Sequence, residues 1–185
     1  MVRTAGKAAF TLYLTLSGLW LSNAAAQTFE LTSPDFANGA KLSLAQVNSR
    51  CGGRNGSPAL RWSGAPPKTK SYALTVFDPD AGGGAGFWHW LIFDIPANAS
   101  QLPEGAGSGK GLSQGIKQIA NDFGGPGYGG ACPPPGSGIH HYQFTLYALG
   151  IANLPAGIDS SSSGLAAYFK SHALATAVLT GIYSR

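Results

Sequence analysis

The order of apolar and polar positions along the chain is that of short strands joined by turns. Phe29-Glu30-Leu31-Thr32 alternates with the period of two expected of a half-buried strand. Ser33 to Gly39 is turn-rich and ends in Asn-Gly, a pair suited to the left-handed backbone of tight turns. Leu42 to Val47 alternates again, as a strand does, and Asn48 to Pro58 is a glycine-rich loop carrying Cys51. Ala59 to Trp62 reads as a short strand with Leu60 and Trp62 on one face. Two strongly apolar runs follow, Tyr72–Phe77 and Trp88–Ile95, and the turn between them holds Asp78, Pro79, Asp80 and three successive glycines. The pattern predicts a hairpin there.

Ala97 to Gly115 has poor periodicity and is expected to be a long surface loop. Gly124 to Gly138, GGPGYGGACPPPGSG, has a linker-like composition. Because it carries Cys132 and runs straight into a strand, a fixed irregular loop is expected instead. Ile139 to Leu149 is the clearest strand: His140, Tyr142, Phe144, Leu146 and Ala148 form the core face, and His141, Gln143, Thr145 and Tyr147 the outer one. From Ser162 the period becomes helical through Leu165, Tyr168, Phe169 and His172 or Ala173, with Ser163 as N-cap, and Ala177 to Tyr183 is a last strand. The expected fold is one mainly β, antiparallel domain with a short helix near the C-terminus.

The first 26 residues are set apart by composition. Arg3 and Lys7 precede an apolar run from Ala8 to Leu21, and Ala24-Ala25-Ala26 offers small residues for signal peptidase. The expectation is a signal peptide over 1–26, one domain over 27–185, export to the periplasm or outside the cell, and no integral membrane segment after cleavage. Without Arg3 and Lys7 the formal charge falls from +4 to +2. The remaining basic residues are scattered, which excludes a nucleic-acid stripe. In an oxidising compartment Cys51 and Cys132 are expected to form a disulfide.

Asp78, Asp80, His89 and His140 are the candidate site, roofed by the glycine-proline loop. Each has a plain structural reading as well: Asp-Pro-Asp is a good turn former, and a histidine on an apolar face is commonly a core residue with a satisfied nitrogen. Together they could ligate a metal, serve a hydrolase, or use imidazole N–H groups and loop amides to hold an anion. Composition leaves these three open.

The runs DPDA, FWHWLIFDIPA, SPALRWSGAPPKTKSYALTVFDPDA and NDFGGPGYGGACPPPGSGIHHYQFTLYAL resemble the phosphatidylethanolamine-binding protein family, in particular its bacterial Raf-kinase-inhibitor-like branch. The resemblance spans roughly Phe29 to Tyr183. It implies a Greek-key β-sandwich of two antiparallel sheets with short helices. It also implies a pocket for phosphate-like anions or phospholipid head groups, built by Asp78, Asp80, His89, His140, Tyr142 and the backbone of Gly130 and Cys132. Three departures stand out: Gly82-Gly83-Gly84 where the family has proline, His141 where many members have arginine, and Cys132 in place of a small residue.

The reading is an exported binding protein that is not an enzyme, with no cofactor and no metal ligands. Asp78 and Asp80 are expected to orient His89 and His140. The alternatives are a metal-assisted hydrolase at the same residues, or an inhibitor of a protease or other partner acting through the glycine-rich rim. The protein partner and dimerisation stay open.

Overall fold

The computed structural model describes residues 1–2 and 28–185; the expected leader from Arg3 onward and its cleavage site fall outside the described residues. Among the described residues, eight strands form two antiparallel sheets. The smaller pairs β1 (Glu30–Thr32), β2 (Leu60–Ser63) and β5 (Gln101–Leu102) in the order β1-β2-β5. The larger has the order β6-β4-β3-β7-β8, from β3 (Ser71–Asp78), β4 (Phe87–Pro96), β6 (Lys117–Gln118), β7 (His140–Leu149) and β8 (Ala173–Tyr183). The helix α1 (Ser162–His172) feeds directly into β8. Among the described residues no helix is long and apolar enough to cross a membrane.

The larger sheet is buried on both faces, so β3 has almost no polar alternation. Leu74, Val76, Trp90, Ile92, Phe144 and Leu146 meet Leu31, Leu60, Trp62 and Leu102 of the smaller sheet in the main core. On the other face Ala73, Leu91, Phe93, Tyr147 and Leu149 pack against Leu165 and Phe169 of α1. Each fully buried large apolar side chain contributes about 1.5–3 kcal/mol.

The hairpin, the inward set of β7 and the short strand at Leu60 follow the sequence pattern. Several expectations are corrected. Leu42–Val47 forms no strand: Lys41 bridges Ile182 and Val47 bridges Ala131 at its ends, with turns between. Ala97–Gly115 is not simply surface, since Leu102 pairs into the smaller sheet and Ala106 is fully buried. Tyr147 is covered by α1 instead of facing solvent. The N-cap of α1 is Ser161, whose hydroxyl accepts the Gly164 N–H at 3.0 Å, and Ala173 already belongs to β8.

The Cys51–Cys132 disulfide is formed. It joins the loop after Val47 to the loop before β7, and the glycine-proline segment is fixed as expected. Tyr128 is buried and donates its hydroxyl to Gln46 O at 2.9 Å, and Asn48 N–H donates to Ala131 O at 3.0 Å.

Candidate functional site

Four strand-borne side chains converge at one end of the larger sheet. Asp78 closes β3, His89 lies near the start of β4, and His140 and Tyr142 open β7. Because β3 lies between β4 and β7, the turn end of the hairpin faces the first residues of β7. Asp78, His89, His140 and Tyr142 are all buried, with exposures of 2, 3, 3 and 1 %.

His89 owes its direction to a β-bulge. Val76 pairs with Trp90 but Phe77 pairs with Trp88, so His89 is an extra residue on β4. A bulge re-aims the side chains around it. Trp88 goes to the α1 side of the sheet, while Trp90 enters the core between the sheets. His89 points into the site, its ring 5.0 Å from those of Phe87 and Tyr142.

Asp78 organises the polar floor. Its Oδ2 accepts from His140 Nδ1 at 2.7 Å and lies 4.0 Å from His89 Nε2. Its Oδ1 accepts the Asp80 N–H at 3.0 Å, an Asx turn that sets the rim. His89 is oriented by a different group, since its Nδ1 donates to Gly129 O at 2.6 Å. Burial holds the His89 imidazole below the usual histidine range, against the pull of the Gly129 carbonyl and the Asp78 and Asp122 carboxylates. Neutral His89 therefore presents a lone pair at Nε2 to the cavity.

The Tyr142 hydroxyl is buried without a hydrogen-bond partner. Burial and the nearby Asp78 carboxylate push it well above the ordinary phenol value. The Cys132 amide works against that shift. Tyr142 is thus a phenol with an unspent donor.

These groups line a cavity of about 480 Å³. Phe87 and Phe123 form an aromatic wall, Cys132 to Pro134 and Ser137 form another, and Asp80 to Gly83 form the rim. Gly82, Gly83 and Gly84 turn with φ of 59°, 66° and 96°, a succession that proline cannot adopt. A groove of about 500 Å³ beside β1 and β8 has Glu30 as its one ionisable lining residue, so it lacks the convergent polar groups of a ligand site.

Two expected residues have partners other than those the sequence suggested. Asp80 does not hold either buried histidine; its Oδ2 accepts from His141 N–H and Nδ1, both at 2.8 Å, in a partly exposed pair. That contact holds the Asp80 carboxyl below its ordinary value. Gly130 is outside the cavity lining, and its amide donates to Asn55 Oδ1 at 2.7 Å instead of facing a ligand. A Cβ on Gly130 would lie 2.5 Å from both Asn48 N and Gln46 O, which is why a glycine is required.

Four residues were missed. Phe87 and Phe123 carry no chemical signal in a sequence. Arg50 was one of many scattered cations, yet its guanidinium lies 5.8 Å from the centre of the Phe123 ring. Ser137 could have been noticed, because it stands in a Gly-Ser-Gly step three residues before His140. Its Oγ lies 3.0 Å from His140 Nε2 and 2.8 Å from Pro134 O. Among the described residues, no group of three or more His, Cys, Asp or Glu is arranged to hold a metal.

A family model described as phosphatidylethanolamine-binding protein matches residues 32–184. UPF0098 protein YbcL of Escherichia coli K12 is 46% identical over 167 residues, covering 87% of this chain and 90% of that protein. UPF0098 protein YbhB of the same organism is 41% identical over 160 residues, covering 84% and 99%. A Mycobacterium tuberculosis H37Rv protein named as a lipoprotein, LppC, is 40% identical over 134 residues, covering 72% and 62%. The crystal structure of E. coli YbcL superposes with a TM-score of 0.80 at 43% identity, covering 85% of this chain and 98% of that one. The chain belongs to the phosphatidylethanolamine-binding protein family.

Proposed function

We propose that the protein is an exported binding protein whose cavity holds a phosphate-like anion, free or as a phospholipid head group, without turning it over. The observation that carries this reading is the unpartnered Tyr142 hydroxyl, buried in the cavity wall on a ring 5.0 Å from that of His89. A buried donor left unbonded costs about 1–3 kcal/mol, which a ligand oxygen recovers. A protonated phosphate matches the pair chemically: one oxygen accepts from Tyr142 and its P–OH donates to neutral His89 Nε2. The Arg50 guanidinium stacked on Phe123 adds a fixed positive charge behind the aromatic wall. It offsets the loss of charge where His141 stands in place of arginine. Export is supported by the disulfide and by the lipoprotein-named relative.

Sulfate separates this reading from others, because it stays fully ionised and has no hydroxyl to donate to a neutral imidazole. It needs protonated His89, so its affinity rises as pH falls, by up to about tenfold per unit for one linked proton. Isothermal titration at pH 5.5 and 7.5 should give clearly tighter binding at the lower pH, and His89→Gln should remove most of the difference. Failure of both sulfate and inorganic phosphate to bind at either pH would overturn the reading, and a sulfate affinity that does not change with pH would overturn the neutral state of His89. Phosphoethanolamine compared with sulfate on Asp80→Ala then tests the head-group form: a selective loss for phosphoethanolamine places its amine at the rim.

A further inference from the structure

We propose that Ser137 is an activated nucleophile that accepts a group from an activated ester entering the cavity, with His140 as its base and Asp78 as the orienting carboxylate. Asp78 Oδ2 is 2.7 Å from His140 Nδ1, and His140 Nε2 is 3.0 Å from Ser137 Oγ. The three groups form one hydrogen-bonded line from the buried end of β3 to the cavity mouth, and all three line the same cavity. Nucleophile, base and orienting carboxylate in this order are what raises a serine hydroxyl above its intrinsically weak nucleophilicity.

Proton counting supports the assignment. A carboxylate can only accept, so the 2.7 Å contact makes Nδ1 a protonated nitrogen; in the neutral imidazole, the form that serves as a base, the Nε2 lone pair faces Ser137. The Ser137 hydroxyl has one proton and two acceptors in reach, Nε2 at 3.0 Å and Pro134 O at 2.8 Å. Rotation about its Cβ–Oγ bond alone moves the proton onto the productive acceptor. The unpartnered Tyr142 hydroxyl lines the same cavity and can donate to the oxygen that gains charge.

In the step itself, an Oγ lone pair forms a bond to the carbonyl carbon or phosphorus of the ester. The Oγ proton passes to His140 Nε2, and the leaving group departs with its bonding electrons and takes that proton back. The product is a Ser137 ester, neutral His140 and a protonated leaving group. The inference goes beyond anion binding and does not depend on it: an anion can bind without any adduct forming, and an adduct can form without sulfate affinity.

The chain carries its own control. Ser171 Oγ lies 2.9 Å from His172 Nδ1, but the pair is exposed and has no carboxylate behind it. Intact protein is treated with an alkyl fluorophosphonate, for which the P–F bond breaks and fluoride leaves with the proton, and the adduct is counted by mass and located by peptide mapping. One adduct per chain on Ser137 is expected. It should be absent in Ser137→Ala, at least about a hundredfold slower in His140→Gln, and unchanged in Ser171→Ala. Asp78→Asn, which keeps the side chain's shape, should also slow it and serves if His140→Gln does not fold. No adduct on the wild type, an adduct on Ser171, or wild-type labelling rates in a folded His140→Gln or Asp78→Asn would overturn the proposal.

Discussion

At the scale of single residues, the site is governed by what desolvation does to His89. Its folded proton affinity is lowered, so the unfolded chain, with a histidine near 6.5, binds the proton more readily. Stability from neutral His89 is therefore complete above about pH 6.5, is lost as pH falls toward the folded value, and then levels off. The thermal midpoint of the wild type relative to His89→Gln should be higher at pH 7.5 than at pH 5; a constant difference would contradict the assignment. The two aspartates of the rim motif should also separate clearly. Asp78 is buried against His140, and Asp78→Ala leaves the His140 Nδ1–H buried without its acceptor, at a cost of about 1–3 kcal/mol. Asp80 and His141 are 38 and 49 % exposed at their side chains, so Asp80→Ala should cost less than about 1 kcal/mol. Urea unfolding of the two variants distinguishes these roles, which Asp-Pro-Asp as a sequence does not.

At the scale of elements, the bulge in β4 and the close approach at Gly130 decide the shape of the cavity. Strict alternation from Trp88 puts both tryptophans on one face and His89 on the other. The ladder's slip between Val76 and Phe77 separates the tryptophans and still leaves His89 facing Tyr142. The backbone from Gln46 to Asn48 packs directly on Gly130, two residues before the disulfide and the cavity wall. Gly130→Ala forces those backbones apart, at about 1–3 kcal/mol for overpacking, and should weaken sulfate binding through displacement of Cys132 and Pro133. A variant with wild-type stability and affinity would show that the contact gives without reaching the cavity.

At the scale of the whole molecule, the site depends on a long-range tie. Cys51 and Cys132 are 81 residues apart in sequence, and closing a loop of that length is worth about 4 kcal/mol in the chain-entropy model. A Cys51→Ser, Cys132→Ser double variant should unfold at correspondingly lower denaturant and bind sulfate more weakly, because the loop from Cys132 to Ser137 is one wall of the cavity. Loss of affinity without loss of stability would mean that the bridge acts on the wall alone. The same tie brings Arg50, next to Cys51, up to Phe123, which is how a cation remote in sequence reaches the cavity wall.

The sequence by itself determined the local features. Alternation marked β7 and put His140 inward, two apolar runs around Asp-Pro-Asp marked the hairpin, and two cysteines in a chain expected to be exported marked the bridge. Each depends on neighbours in sequence or on residue type, and the recurrence of several motifs in order carried the family resemblance. The tertiary structure decided which groups meet. It assigned Asp78 to His140, Gly129 to His89, His141 to Asp80 and Asn55 to Gly130, and it brought Ser137 to His140. Those partners are set by ladder register, one bulge and loop packing over dozens of residues. Periodicity reports only the two faces of a strand, so it contains no term for where such pairings fall.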